Sequence, residues 1–90
     1  MSAFRMLPQV KRSYDEQGYI FFFTRLYPQL PQEDRESIES LCKSVAGDSW
    51  EALLDFIRSD DYKAKVAMKH NVSSRTLIRW RAEYYTRFFE

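Results

Sequence analysis

Residues 62–90 read YKAKVAMKHNVSSRTLIRWRAEYYTRFFE, and within them the passage from Ala67 to Trp80 decides the fold. It reads as a helix, a three-residue turn and a second helix. Ala67 is small enough to sit where two helices cross closely. Four residues on, Asn71 tolerates the left-handed backbone that ends a helix sharply. Val72 is one apolar plug for the turn. Ser73 is a preferred N-cap, and Leu77 with Trp80 starts an apolar stripe that Tyr84 and Phe88 continue at i+7 and i+11.

With Leu77 and Trp80 inward, Ser74, Arg75, Ile78 and Arg79 fall on the opposite side, near the start of the second helix. Helix, turn and helix of this kind form a helix-turn-helix, whose second helix commonly enters the DNA major groove. A guanidinium can donate two parallel hydrogen bonds to guanine O6 and N7, so Arg75 and Arg79 are the expected base contacts. Ser73, Ser74 and Thr76 are expected at phosphates beside the helix start, as are Lys63, Lys65, Lys69 and Arg81. The competing reading of all these residues is a solvated basic face. Tyr85 and Phe89, with Ile78, form a second apolar stripe on the last helix. The aromatic helix around Phe21 could cover it within one chain, or a second copy could do so in a homodimer through Tyr85, Phe89 and Phe21.

Moving outward, residues 48–58 form a short helix with a capping-box pair, Asp48 and Glu51, and with Trp50, Leu53, Leu54 and Ile57 at helical spacing,. Ser59, Asp60 and Asp61 can cap the helix that follows. Before it, Pro31 is suited to the first position of a helix that carries Glu33, Asp34 and Glu36 in its first turns, buries Ile38, Leu41, Cys42 and Val45, and stops at Gly47. Ser13 and Glu16 open a further helix over 14–27, with Tyr19, Phe22, Phe23 and Leu26 at i, i+3, i+4 and i+7. The β-formers of Tyr19 to Thr24 also allow a strand, but no convincing partner strand exists to satisfy its backbone. Ile20 and Phe21 make this segment apolar on more than one face, which suits a central helix or a subunit interface. Residues 1–12 contain Pro8 and have no period; they read as a flexible arm carrying Arg5, Lys11 and Arg12.

The expected fold is therefore all-α. It is one domain over residues 1–90, a compact bundle of about five helices: an arm at 1–12, a helical hairpin at 13–47, and a three-helix unit at 48–90 that contains the helix-turn-helix at about 62–88 and a long last helix. At 44% hydrophobic and 17% aromatic residues the chain is rich enough for a core,. Charge divides unevenly along it. Residues 1–60 hold seven Lys or Arg against ten Asp or Glu, a net of −3, whereas residues 61–90 hold seven against three, a net of +4. The basic surplus belongs to the helix-turn-helix.

Catalysis finds little support. The chain has one histidine, His70, at a helix end where a dipole or capping role suits it. It has no glycine-rich phosphate loop and no Cys/His metal spacing, so no cofactor or metal is expected. Cys42 lies on a buried stripe as an inert thiol and cannot form an internal disulfide. The longest apolar run, Tyr19 to Phe23, cannot span a bilayer. No secretory signal is evident in residues 1–12, so a cytoplasmic protein without a membrane partner is expected.

The segments Val66-Ala67-Met68-Lys69-His70-Asn71-Val72-Ser73 and Thr76-Leu77-Ile78-Arg79-Trp80-Arg81 resemble the helix-turn-helix of bacterial and bacteriophage transcription regulators. They are similar in particular to the compact motifs of phage and mobile-element late-gene activators and sigma-like regions. The match covers about a fifth to a third of the chain, and it departs from the common pattern at Asn71, where glycine is usual, and at His70, where an apolar residue is frequent. The aromatic helix and the "Leu-Pro … Ile … Leu-Cys" pattern resemble small uncharacterised proteins of mobile elements in Gram-positive bacteria. The resemblance implies a double-stranded DNA partner and transcription regulation. A DNA-packaging or recombination accessory protein, and a helical protein-protein interaction module, are the alternatives.

Overall fold

Ser13 starts the first helix as its sequence requires. In this computed structural model, which describes residues 4–58 and 63–90, the Ser13 hydroxyl accepts from the Glu16 N–H at 3.1 Å and the Glu16 carboxylate accepts from the Ser13 N–H at 2.9 Å,. Helix α1 spans Tyr14–Arg25. It ends before residue 27 because Pro28 has no N–H to continue the ladder, and a 3₁₀ turn, Tyr27–Gln29, takes over,. Helix α2 spans Gln32–Ala46, with Pro31 as its N-cap rather than its first residue. Gly47, at φ 58°, closes α2 by donating to the Lys43 carbonyl,.

A 3₁₀ turn, Gly47–Ser49, delays the next helix, so α3 spans Trp50–Arg58 instead of beginning at residue 48. The expected caps Ser59, Asp60 and Asp61 lie outside the described residues. Helices α4, Lys63–His70, and α5, Ser74–Arg87, complete the chain. The secondary structure of the described residues is helical throughout, with no strand. The expected count of about five helices becomes four of nine or more residues, α1, α2, α3 and α5, with α4 a two-turn segment of eight. None of them is long and apolar enough to cross a membrane.

α3 is the central element. Its Leu53, Leu54 and Ile57 join Ile20 of α1, Ile38 and Cys42 of α2, and Tyr84 and Tyr85 of α5 in one core cluster. Its Ala52 and Phe56 join Val66 and Ala67 of α4 and Leu77 of α5 in a second. Nine residues thus serve two cores, which requires burial on nearly every turn; five of the nine are buried. Cys42 is fully buried, and desolvation, followed by the charge of Glu39, pushes its thiol up to about 12, so it stays protonated and inert,.

α1 turns a different face inward from the one its apolar spacing suggests. Gln17, Ile20 and Thr24 are fully buried, while Tyr19, Phe22 and Leu26 are 53%, 55% and 49% exposed. The two polar residues are tolerated because both are satisfied. The Gln17 amide accepts from the Leu7 N–H at 2.8 Å and donates to the carbonyls of Leu7, Val10 and Arg12. The Thr24 hydroxyl is bonded to the Tyr84 hydroxyl at 2.8 Å. A fully bonded polar side chain costs little to bury, so the usual rule that apolar residues win the inside does not decide here.

Gln17 also explains residues 4–12, read in the sequence as an arm. They run in turns against α1, with Val10 only 4% exposed and Phe4 set among the rings of Tyr14, Phe21 and Phe22. Arg12 donates to the Thr86 carbonyl at 2.6 Å, a group left without a helical partner in the last turn of α5,.

Candidate nucleic-acid interface

The turn between α4 and α5 closes by two backbone hydrogen bonds. The Val72 N–H donates to the Ala67 carbonyl at 3.0 Å and the Asn71 N–H to the Met68 carbonyl at 3.3 Å. This six-to-one plus five-to-two pair is a Schellman closure, and it places Asn71 at φ 57°, the left-handed conformation its sequence predicts,. Val72 packs on the cluster of Ala67 and Leu77 beneath the turn. Ser73 then caps α5, its hydroxyl accepting from the Thr76 N–H at 3.0 Å and donating to the Thr76 hydroxyl at 2.7 Å,.

Leu77 is fully buried, which fixes the rotation of α5. Arg75 and Arg79 are each two residues from it, about 200° around the axis, and both are exposed,. Among the described residues neither has an ion-pair partner. Ser74 and Ile78 are half-buried beside them. Lys63 and Lys65 are exposed along α4.

The remaining expected contacts are placed differently. Arg81 comes one turn after Leu77, on the same side of α5, and its guanidinium lies 4.8 Å from the centre of the Phe56 ring instead of facing outward with Arg75 and Arg79. Desolvation lowers its pKa from the ordinary arginine value, and its Nε is buried without a hydrogen-bond partner among the described residues. Lys69 is exposed, but its ammonium pairs with Asp55 of α3 at 3.4 Å. The hydroxyls of Ser73 and Thr76 are bonded to one another. The structure therefore brings Arg75 and Arg79 to one outward face of α5, with Ser74 half-buried on the Leu77 side of the helix start and Lys63 and Lys65 exposed on the neighbouring helix,.

His70 has a role its sequence position did not show. Its Nε2 lies 2.8 Å from the Asp55 carboxylate, so Asp55 ties α3 to the last turn of α4 through both His70 and Lys69. Partial burial by itself would raise the Asp55 pKa, but hydrogen bonds from His70 and Lys69 and their charges outweigh it and hold the carboxyl below its ordinary value,. Fifteen residues separate Asp55 from His70, so no local spacing could have revealed the pair.

The aromatic surface also differs from expectation. Tyr85 is 3% exposed, within the same core cluster as Val10, and desolvation pushes its hydroxyl up to about 12. Phe21 packs with Phe4 and Phe22. Phe89 packs with Tyr19 and Phe88 beneath the Arg12 guanidinium. Tyr85, Phe89 and Phe21 therefore do not form one interface. No family model, curated protein or solved structure matches the chain.

Proposed function

We propose that α4, its closed turn and α5 act as a helix-turn-helix that binds double-stranded DNA, with the first turns of α5 entering the major groove, and that the chain is a transcription regulator. One observation carries this reading. Arg75 and Arg79 stand one turn apart on an outward face of α5, without ion-pair partners among the described residues, beside a helix start whose position is fixed by the Asn71 turn and the Ser73 cap. In the groove each guanidinium would donate to a guanine edge, while Ser74, Lys63 and Lys65 would meet phosphates. Arg81 would act indirectly, by holding α5 against α3. The resemblance to phage and mobile-element regulators points the same way.

The test is fluorescence anisotropy of a labelled random-sequence duplex titrated with the protein at low and then moderate salt. Measurable affinity that falls steeply with salt is expected from phosphate neutralisation. On a selected site, the double variant Arg75→Ala/Arg79→Ala should lose about 1–3 kcal/mol for each true base contact and keep its helical circular dichroism. Absence of binding by the folded protein at low salt would sink this reading and leave the helical interaction module, which the exposed aromatic residues of α1 favour.

A further inference from the structure

The outer side of α2 and the last turn of α5 border a groove of about 680 Å³. Phe23 of α1, Leu41 of α2 and Phe88 at the end of α5 supply its apolar floor, and all three are half-buried. The Phe23 and Phe88 rings meet edge to face there, with centres 6.0 Å apart. Glu33 and Glu36 of α2 and Glu90 stand exposed around it. The volume falls within the range of small-molecule sites, which combine an apolar lining with a few polar groups.

The charges of the groove say what fits it. Arg87 is the cation of its lining, and it is already engaged: it donates to the Ser44 hydroxyl and lies 3.9 Å from the Glu83 carboxylate. Lys43 of α2 is drawn to the Trp50 ring, and Arg12 is bonded to the Thr86 carbonyl. Glu33, Glu36 and Glu90 have no ion-pair partner among the described residues. The Glu36 carboxylate accepts from the neutral Gln32 amide at 3.0 Å. Glu33 and Glu36 lie three positions apart on one helix, where like charges repel. The helix dipole accounts for Glu33, in the first turn of α2, but not for Glu36 or Glu90,. A carboxylate rim and aromatic faces both attract an organic cation, whose apolar body the floor can cover. A phosphate, nucleic acid or anionic bilayer would instead meet three like charges. A bare metal ion is not served either, because no group of three or more His, Cys, Asp or Glu side chains among the described residues could hold one. We infer that this groove binds a small organic cation, an ammonium or guanidinium on an aromatic or branched aliphatic body. The body lies on Phe23, Leu41 and Phe88, and the charge is met by Glu33 and Glu36. The inference does not depend on DNA binding.

Titration of the isotope-labelled full chain with phenethylammonium, followed by amide chemical shifts, tests it. Saturable shifts confined to the residues of the groove are expected, with a dissociation constant on the order of 1 mM for so small a probe. Phenylpropionate, which has a similar body and the opposite charge, should bind at least about tenfold more weakly. Glu33→Gln/Glu36→Gln should weaken phenethylammonium binding by about fivefold or more while the helical circular dichroism stays that of the parent, since both residues are exposed,. Asp48→Asn/Glu51→Gln removes the same charge from exposed positions outside the groove and should leave binding within about twofold of the parent,. The inference is overturned by an absence of saturable shifts, by shifts centred elsewhere, by equal binding of phenylpropionate, or by equal losses in the two double variants. A tetralysine peptide that occupies the groove more than about tenfold tighter than phenethylammonium would overturn it too, by assigning the groove to a basic protein segment.

Discussion

α1 and α5 are both aromatic helices of twelve to fourteen residues opened by a serine cap, yet they treat their apolar residues in opposite ways. α5 buries Leu77 and Tyr84 completely and keeps Arg75 and Arg79 outside. α1 buries Gln17 and Thr24 completely and keeps Tyr19 and Phe22 outside. The difference arises from what lies opposite each helix. α5 meets the apolar sides of α2, α3 and α4, and of its buried side chains only the Tyr84 hydroxyl bonds to another helix among the described residues, at Thr24. α1 meets the backbone of residues 7–12 and the hydroxyl of Tyr84, which demand hydrogen bonds. Burial follows the partner surface as much as the helix's own hydrophobicity.

The sharpest way to break this contrast is to remove the anchor on each side. Leu77→Ala leaves a cavity where α3, α4 and α5 meet and should cost about 3 kcal/mol in urea unfolding. A loss under 1 kcal/mol would mean that α5 is not held by that cluster. Gln17→Ala should cost somewhat less, about 2 kcal/mol, because it strands the Leu7 N–H and the carbonyls it now serves,. If Gln17→Ala proved neutral, the buried polar face of α1 would be incidental rather than the reason for its orientation.

Smaller effects sharpen the comparison further. The Asp55 carboxyl, held below its ordinary value, contributes stability that is present above the unfolded-state pKa of about 3.9 and is lost as pH falls through the lower folded value,. Acid titration of Asp55→Asn against the parent chain should show a stability gap that is constant near neutrality and closes below about pH 4. A gap independent of pH would leave the His70 and Lys69 contacts without electrostatic weight. Phe22→Ala should have the least effect on the isolated protomer, within about 0.5 kcal/mol when measured at dilution, since the ring is more than half exposed,. A larger loss would place Phe22 in the protomer core, as its helical spacing first suggests.

These residues also show how far the sequence could be read. The α4–α5 turn was legible in detail because its determinants are local: Asn71 for the left-handed residue, Ser73 for the cap, Leu77 for the rotation of the helix. The same holds for the Ser13 capping box and for Gly47 at the end of α2. Reading failed where the deciding partner was distant. Nothing near Gln17 announces that it will hold residues 7–12, and nothing near Arg81 announces Phe56, although its position one turn beyond Leu77 marked it for the inner side. In α1, two apolar faces competed, and the spacing of Tyr19, Phe22, Phe23 and Leu26 identified a helix without identifying its inside. Of the expected DNA-contacting set, Arg75 and Arg79 share an outward face because helical geometry alone relates them to Leu77, whereas Ser74, three residues before Leu77, turns toward its side and is half-buried,. Lys69 and Arg81 were claimed by tertiary partners that spacing does not reveal.

The bond from Arg12 to the Thr86 carbonyl joins residues 74 positions apart. Together with Gln17 it ties the beginning of the described chain, α1 and the last turn of α5 into one mechanical unit. The last turn of an ordinary helix frays independently of the rest of its protein. Here fraying of α5 must first release Arg12, and residues 7–12 share through Val10 the core cluster that holds Tyr85. Opening of residues 7–12 and fraying of the last turn of α5 are thereby coupled, so local unfolding at this corner draws on both segments,.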